Sequence, residues 1–163
     1  RVKCGVPGGF GRSTEEIGAL KAYGVPFEVV PGVTAACAAA ASLSESLTDR
    51  GKIDTLVLTT GHRYNGYTVP DPIKDIQPGT CVALYMAVGA APQIVGQLEN
   101  SHPGVAFDVQ IIAKAQRRDQ KILNCTLNDL VDTLTAHQIT GEAILLVRWR
   151  RCSQAKRRES AAA

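Results

Sequence analysis

The sequence predicts an α/β fold, and three observations support this prediction. First, its 163 residues are 45% hydrophobic and 20% charged, a composition typical of a globular protein. Second, short β-branched runs alternate with segments of helical spacing, as they do in α/β layers. Third, the stretch from Phe27 to Ser42 passes from an apolar run through Pro31-Gly32 into an alanine-rich segment that opens at Thr34. We therefore expect a buried strand, a tight turn and a helix in this stretch.

The first part of the chain should follow the order strand, helix, strand, helix of a parallel α/β layer. The predicted elements are the end of a strand at Arg1–Cys4, a glycine loop at Gly5–Gly11, a helix from Ser13 to Gly24, a buried strand at Phe27–Val30 and a helix from Thr34. Ser13 and Glu16 have the spacing of a capping box, which predicts that the first helix begins at Ser13. Gly24 should end that helix, because glycine readily adopts a left-handed backbone conformation.

The second part of the chain should form a mixed sheet with helices. Its predicted elements are strands at Thr55–Thr60, Thr80–Val88, Val109–Ala113, Gln120–Cys125 and Glu142–Trp149, and helices at Ala90–Leu98 and Leu127–Leu134. Lys114 to Asp119 should connect two of these strands as a hairpin or irregular loop. Arg63 to Gly79, rich in proline and glycine, is predicted as mostly loop with one helical turn. Thr126 and Asp129 are placed to cap the last helix.

The polar stretch from Ser44 to Lys52 predicts a domain boundary. We therefore expect a first domain at residues 1–46, a second at residues 47–150 and a basic, disordered tail at residues 151–163. Much of the formal net charge of +3 comes from the segment between Arg148 and Arg158. We interpret that segment as a solvated chain end, because the body of the sequence lacks the basic stripe with aromatic residues that favours nucleic-acid binding.

The cysteines and the hydropathy pattern limit the compartment and the metal content. Five cysteines occur, none in a Cys-x-x-Cys motif, and their spacing fits no zinc site. Reduced thiols in the cytoplasm and no metal are therefore expected. No apolar run is long enough to span a membrane, so we expect no membrane partner. The chain opens on Arg1 inside an apolar segment, which is typical of a fragment of a longer protein.

The turn before Thr34 is a candidate ligand site. It combines the N–H groups of a helix start with flexible glycine backbone, a combination that suits a polar or anionic ligand end. An ordinary strand-to-helix connection explains the same residues equally well. The glycine loop at Gly5–Gly11 fits a phosphate cradle poorly, because Val6 and Arg12 break the Walker pattern and Thr14 breaks the Rossmann pattern.

Several stretches taken together are more specific than any of them alone. In chain order they are VKCGVPGGFGRSTEE, GVPFEVVPGVTAA, LTDR, LVLTTGH and LYM. Their order and intervals resemble the tetrapyrrole methylase family, and within it the uroporphyrinogen-III C-methyltransferases. The resemblance extends to about Arg150. It implies a truncated N-terminal parallel-sheet domain followed by a mixed-sheet α/β domain, with the active site between them and homodimers as the common assembly.

The resemblance also implies a reaction. Members of this group use S-adenosyl-L-methionine to methylate two pyrrole carbons of uroporphyrinogen III, and the product precorrin-2 feeds siroheme and cobalamin synthesis. The methyl group passes directly to an electron-rich carbon, so no metal is needed. The protein must hold the two reacting atoms in line and exclude water.

The resemblance assigns residues to this chemistry by position. The cofactor-binding positions are Cys4, Gly5, Val6, Gly9, Thr34, Ala35, Met86 and Ala115. Arg12, Glu15 and Arg50 occupy the positions that face the substrate, whose carboxylates favour arginine partners. Arg12 is the candidate catalytic residue, which would orient the macrocycle and aid proton removal. A plain surface role for the two arginines stays open.

Three departures from the family pattern leave alternatives open. The N-terminal portion of the family is absent, Cys4-Gly5-Val6 stands where the family has Gly-Gly-Asp, and Asp49 stands where it has histidine. An apolar side chain thus replaces a carboxylate that could bind polar cofactor groups. One alternative is an inactive fragment or paralogue that serves as a binding or assembly module. The other is a methyltransferase that acts on a later precorrin.

Overall fold

A computed structural model of the chain describes residues 5–61 and 72–151. Within these residues lie α1 (Ser13–Ala22), α2 (Ala35–Leu43), β1 (Thr55–Thr60), β2 (Thr80–Tyr85), a 3₁₀ turn (Val88–Ala90), α3 (Ala91–Ser101), β3 (Asp108–Ala113), β4 (Lys121–Thr126), α4 (Leu130–Ala136) and β5 (Ala143–Trp149). None of the helices in this described part is long and apolar enough to cross a membrane. The predicted strand at Arg1–Cys4 lies outside the described residues.

The sheet has five strands in the order β1-β2-β5-β3-β4. β1 and β2 are parallel, and all other neighbouring pairs are antiparallel. Because β5 runs against both β2 and β3, the strands β1, β2 and β3 all point the same way. Their carboxyl ends therefore meet at one edge of the sheet. The predicted mixed-sheet α/β fold is confirmed.

One face of the sheet carries the larger hydrophobic core. Strand residues alternate between the two faces, so Val82 and Leu84 of β2 share this face with Leu145 and Val147 of β5. α3 and α4 cover it with apolar side chains at helical spacing, including Ile94, Leu98, Leu130 and Leu134. The apolar side chains whose spacing predicted these helices are the ones that pack against the sheet.

The other face is covered by α2. Its buried residues are Ala36, Ala39 and Ala40, which pack against Cys81, Ala83, Ile112, Ile144 and Leu146. Alanine side chains let the helix backbone lie close to the sheet, and the small residues of β2 leave room for it. α2 falls in the predicted first domain but packs on the sheet of the predicted second domain. The boundary at residues 46 and 47 stays a prediction.

The predicted buried strand at Phe27–Val30 is wrong. These residues form no regular strand, and Phe27, Val29 and Val30 are 41%, 49% and 68% exposed. A strand needs a neighbour to pair with, and none of the described strands lies beside this segment. Its apolar, β-branched composition therefore predicted neither its secondary structure nor its exposure.

The ends of α1 are partly as predicted. Ser13 is the first helical residue, and Arg12 takes the cap position with a left-handed backbone (φ 54°) and no side-chain capping bond. The predicted capping-box register with Ser13 as the cap is therefore wrong. Gly24 (φ 63°) does terminate the helix, because its N–H and that of Val25 bond back to the carbonyls of Lys21 and Leu20. This is a Schellman motif.

β2 ends earlier than predicted. It stops at Tyr85, because Met86 adopts a left-handed backbone (φ 49°) that cannot continue a strand. The 3₁₀ turn at Val88–Ala90 then leads directly into α3. The β-branched and apolar composition up to Val88 gave no sign of this break.

The basic segment is structured over its first residues. Arg148 is a β5 residue that is 1% exposed, and its guanidinium lies 3.4 Å from a carboxylate oxygen of Glu45. Arg150 pairs with Asp108 at 2.8 Å, and the Arg151 guanidinium bonds to Asp54. That bond holds the pKa of the Asp54 carboxyl below its usual value. The prediction of a solvated end is wrong for the buried Arg148, whereas Arg150 and Arg151 are exposed and ion-paired. Residues 152–163 lie outside the described part.

Truncation of Leu145 in the central strand β5 tests whether the described core contributes most of the stability. Leu145 is 0% exposed, so Leu145→Ala should lower the free energy of unfolding by about 2–5 kcal/mol through lost burial and a cavity. Leu58→Ala is the matched control, since Leu58 is 46% exposed on the edge strand. Urea unfolding of both variants measures the difference. Equal losses in the two variants would contradict the core described above.

Candidate functional site

The candidate site lies where the carboxyl ends of three strands meet. β1 leads into Gly61, β2 into Met86, and β3 into Lys114 and Ala115. In open α/β sheets this kind of edge, beyond the carboxyl ends of the strands, is where ligands bind. Two predicted cofactor positions, Met86 and Ala115, thus fall at the same edge. We refer to it below as the ligand edge.

The glycine loop and the turn before α2 come into close contact. A Cβ atom added to Gly32 would lie 2.3 Å from the carbonyl oxygen of Gly5, far inside van der Waals contact. A Cβ on Gly5 would lie 3.7 Å from the Val33 carbonyl oxygen. Glycine at position 32 is therefore required by space, because no side chain fits between the two backbones. The two turns that the sequence marked as candidate sites are neighbours.

Tyr85 joins these turns to the sheet. Its hydroxyl lies 2.5 Å from the Thr34 Oγ1 and accepts a hydrogen bond from the Ala36 N–H at 3.3 Å. Its ring lies 4.7 Å, centroid to centroid, from the ring of Phe10 in the glycine loop. Three separate segments of the chain thus converge on one side chain.

Ala35 and Ala115 lie at the border of the core under α2. Both are partly buried and pack against the same apolar cluster as Tyr85. Ala115 begins the connection between β3 and β4, and the Lys114 ammonium bonds to Asp119 across that connection. This contact holds the pKa of Asp119 below its usual value, so the ion pair persists at neutral pH.

Backbone strain accumulates at the ligand edge. Five non-glycine residues there have positive φ: Phe10 (53°), Arg12 (54°), Met86 (49°), Lys114 (51°) and Gln116 (63°). Two of them flank Ala115, two lie in or beside the glycine loop, and the fifth follows Tyr85. Such conformations cost about 1–3 kcal/mol each and cluster at functional sites. The strain therefore supports the location that the strand ends indicate.

Gly61 makes a second close backbone approach. A Cβ atom there would lie 2.6 Å from the Ala87 Cα and 3.1 Å from the Met86 carbonyl oxygen. The Gly61 N–H also bonds to the Tyr85 carbonyl at 2.8 Å. Gly61 therefore fixes the position of the backbone on either side of Met86, whose side chain is 56% exposed.

Arg12 and Glu15 form an ion pair at the amino end of α1. Arg12 Nη2 lies 2.9 Å from Glu15 Oε2, and Arg12 Nε donates to Oε1 at 3.2 Å. The two side chains are 78% and 65% exposed, so the pair stands in solvent with its guanidinium accessible. Phe10, two residues earlier, contacts the Tyr85 ring in a tilted arrangement, which places this end of α1 beside the ligand edge.

Arg50 does not join these residues. It lies in the turn closed by the hydrogen bonds between Asp49 and Ile53, just before β1 begins. Because β1 and β2 start at that edge, Arg50 is separated from Tyr85 by the length of a six-residue strand, roughly 20 Å. The structure brings Arg12 and Glu15 towards the ligand edge and leaves Arg50 at the opposite edge.

The remaining predicted positions are those of the glycine loop. Cys4 lies outside the described residues. Val6 and Gly9 are half-buried, and the Gly9 N–H bonds to the Val6 carbonyl at 3.3 Å to close the loop. Within residues 5–61 and 72–151, no group of three or more His, Cys, Asp or Glu side chains could hold a metal ion.

Sequence reasoning missed Tyr85 and Phe10. The stretch LYM was assigned to a ligand contact of Met86 alone, and the residue before it was left without a role. An aromatic residue at the last position of a strand, directly before a predicted ligand contact, was the signal available. The partner hydroxyl, Thr34, lies 51 residues away in the chain, so no local pattern could reveal the bond.

Comparison with known proteins identifies the family. The model for Tetrapyrrole (Corrin/Porphyrin) Methylases matches residues 1–131. The chain belongs to the tetrapyrrole methylase family. It is 37% identical to the siroheme synthase of Gluconacetobacter diazotrophicus over 148 residues, which are 90% of this chain and 32% of that protein. The siroheme synthase of Methylococcus capsulatus is 35% identical over 90% of this chain and 31% of its own length. This tetrapyrrole methylase chain thus spans about a third of the length of the curated relatives it matches.

Solved structures match the same family fold. Cobalt precorrin-4 methyltransferase CbiF superposes with a TM-score of 0.77 and 30% identity, over 89% of this chain and 61% of the other. The uroporphyrin-III C-methyltransferase of Thermus thermophilus, solved with S-adenosylhomocysteine, gives a TM-score of 0.72 at 24% identity, over 88% and 62% of the two chains. The predicted family membership and fold are confirmed.

The close approach at Gly61 can be tested by adding one methyl group. Gly61→Ala should lower the free energy of unfolding by about 1–3 kcal/mol, because the new Cβ overlaps the Ala87 backbone. Gly96→Ala in α3 is the matched control, since no atom lies within 4 Å of its added Cβ. Alanine also favours helix over glycine by up to about 1 kcal/mol, so the control should be neutral or stabilised. Urea unfolding in which Gly61→Ala is as stable as the parent would contradict the contact.

Proposed function

We propose that this tetrapyrrole methylase chain takes part in the S-adenosylmethionine-dependent C-methylation of uroporphyrinogen III to precorrin-2. The observation that carries the proposal is the convergence on Tyr85 of the glycine loop, the amino end of α2 and the end of β2. These are the segments to which the family resemblance assigns the cofactor. The siroheme synthases in the comparison support the same pathway.

The described residues fit the cofactor in most respects. The first N–H groups of α2 and the positive end of its dipole suit the carboxylate of the methionine moiety. Met86, exposed at the ligand edge, offers an apolar contact, and the paired glycines at positions 5 and 32 leave space for close backbone approach. Val6 does not supply the carboxylate that the family has at this position. We expect it to weaken the hold on the polar groups of the cofactor rather than to abolish binding.

The chain's own residues would position the reactants. The bound cofactor supplies an electrophilic methyl group on sulfur. The Arg12 guanidinium would act on the substrate by charge and by hydrogen bonds to its carboxylates. Its present partner Glu15 is exposed and can be exchanged for a substrate carboxylate at little cost, since solvent-exposed ion pairs are weak. Arg12 would thereby orient the macrocycle with the reacting carbon towards the methyl group.

Two observations favour other candidates. The apolar side chain of Val6, where the family has a carboxylate, favours a binding or assembly module without turnover. The match to cobalt precorrin-4 methyltransferase CbiF favours a later precorrin as the methyl acceptor. Supplying the chain with S-adenosylmethionine and each tetrapyrrole in turn separates the three. Saturable cofactor binding with no methyl transfer would support the binding module.

Cofactor binding tests the proposed pocket directly. Isothermal titration with S-adenosylhomocysteine should show saturable binding to the parent chain. Gly32→Ala should weaken it roughly 10-fold or more, because the added Cβ separates α2 from the glycine loop. Gly8→Ala lies in the same loop, but no atom lies within 4 Å of its Cβ, so its affinity should match the parent. Absence of binding to the parent chain would rule out the proposed function.

Methyl transfer tests the role of Arg12. In the full chain, Arg12→Ala should lower kcat/KM for uroporphyrinogen III by roughly 10- to 100-fold, the value of a charge-assisted hydrogen bond to a carboxylate. Its affinity for S-adenosylhomocysteine should stay unchanged. Arg150→Ala is the matched control, because Arg150 also pairs with a carboxylate but lies at the opposite edge of the sheet. Unchanged turnover in Arg12→Ala would remove Arg12 from the mechanism.

A further inference from the structure

The start of α2 has an unusual cap. Thr34 occupies the cap position with an extended backbone (φ −72°, ψ 150°), where a threonine side chain normally accepts a bond from the second or third N–H of its own helix. Here Thr34 makes no such side-chain bond. The second helical N–H, that of Ala36, donates instead to the Tyr85 hydroxyl at 3.3 Å. The cap of α2 is therefore supplied from β2.

Because Tyr85 rather than Thr34 accepts the Ala36 N–H, the Thr34 hydroxyl is available for other hydrogen bonds. A hydroxyl has one donor and two acceptor positions. Thr34 makes no side-chain bond to its own helix, and its Oγ1 lies 2.5 Å from the Tyr85 hydroxyl. The Tyr85 oxygen already accepts from the Ala36 N–H, so the Tyr85 O–H can donate to Thr34 Oγ1, and the Thr34 O–H is then left as a donor for an anion. The remaining capacity of the Thr34 hydroxyl lies at the amino end of α2, where the strand ends and the glycine loop meet. A hydroxyl held in this way can bond to a ligand that the helix start attracts by its dipole.

We propose that Tyr85 is a positioning residue for the cofactor: it caps α2 in place of Thr34 and thereby releases the Thr34 hydroxyl for the anionic end of the ligand. The inference rests on the proposed function and adds to it a residue and a mechanism. The ring of Tyr85 also packs against Phe10 in a tilted arrangement and so places the glycine loop beside the same helix start. One side chain therefore contacts both the loop and the helix.

The inference predicts a particular response to the loss of one hydroxyl. In Tyr85→Phe the ring and its contact with Phe10 remain, and the Ala36 N–H loses its partner. Thr34 can then rotate into the ordinary capping position, because its backbone already has capping geometry. The helix keeps a cap, and the ligand loses the Thr34 hydroxyl. Stability and ligand affinity should therefore separate.

Isothermal titration with S-adenosylhomocysteine and urea unfolding measure this separation. Tyr85→Phe should weaken binding roughly three- to ten-fold, the value of one neutral hydrogen bond, with an unchanged unfolding midpoint. Thr34→Val should weaken binding by a similar factor, and the double variant should bind no worse than either single one. Thr34→Ser keeps the hydroxyl and should therefore bind with the parent affinity. Tyr23→Phe is the matched control, because Tyr23 is 84% exposed at the end of α1.

Two results of these titrations would overturn the inference. One is parent-like affinity in Tyr85→Phe. The other is a loss of affinity in the double variant equal to the product of the two single losses, which would mean that Tyr85 does not act through Thr34. A fall in stability that accounts for the whole loss of affinity would likewise assign Tyr85 a purely structural role.

Amide hydrogen exchange at Ala36 tests, without any ligand, which side chain accepts the Ala36 N–H. The Ala36 amide should stay protected in Thr34→Val, where Tyr85 caps it, and in Tyr85→Phe, where Thr34 takes over. It should lose protection in the double variant. Loss of protection in Thr34→Val alone would show that Thr34 is the cap and would overturn the inference. If the parent chain does not bind S-adenosylhomocysteine, the proposed function fails, while this exchange pattern still decides whether Tyr85 is the cap.

Discussion

The hydrogen bonds between the Tyr85 hydroxyl and the amino end of α2 are the interaction on which the rest of the ligand edge depends. They join positions 51 and 49 residues apart and orient a helix whose buried face consists of alanines. Alanines pack closely but give little directional specificity, because their side chains are short and similar. A polar bond at the helix end therefore sets the register that the apolar contacts leave loose. It also sets the position of the glycine loop, since the same ring contacts Phe10.

The opposite edge of the sheet is organised by charge. Arg150 bonds to Asp108 and Arg151 to Asp54, pairs that link residues 42 and 97 positions apart. At the ligand edge, Arg12 and Lys114 pair with residues three and five positions away, and Arg117 pairs with Glu142 just before β5. The long-range contacts at that edge therefore combine the Arg117–Glu142 ion pair with the hydroxyl bonds of Tyr85.

Local sequence patterns predicted the second half of the fold well. The strand Thr55–Thr60 has the predicted bounds, because its β-branched run ends at a glycine that starts a close turn. The end of β2 was not predictable, since methionine is not a residue type that favours the left-handed backbone found at Met86. The apolar run at Phe27–Val30 shows a second limit, because its composition favours a strand but the partner that a strand needs is a property of the whole fold. The start of α2 after Thr34 was likewise predicted, whereas the bond of its Ala36 N–H to Tyr85, 49 residues away, was not.

Met86 at the ligand edge combines a strained backbone with an exposed side chain. Its backbone is left-handed, an arrangement that a long apolar side chain adopts at a cost of about 1–3 kcal/mol, and its side chain is 56% exposed. Core packing therefore does not explain the conformation. Gly61 fixes it instead, because the backbone of residues 86 and 87 lies against the one residue type that leaves room for it. The backbone of Met86 is thus fixed at a strand end, while its apolar side chain lies exposed near a helix start that favours anions. These two features are the ones on which the proposed cofactor site depends.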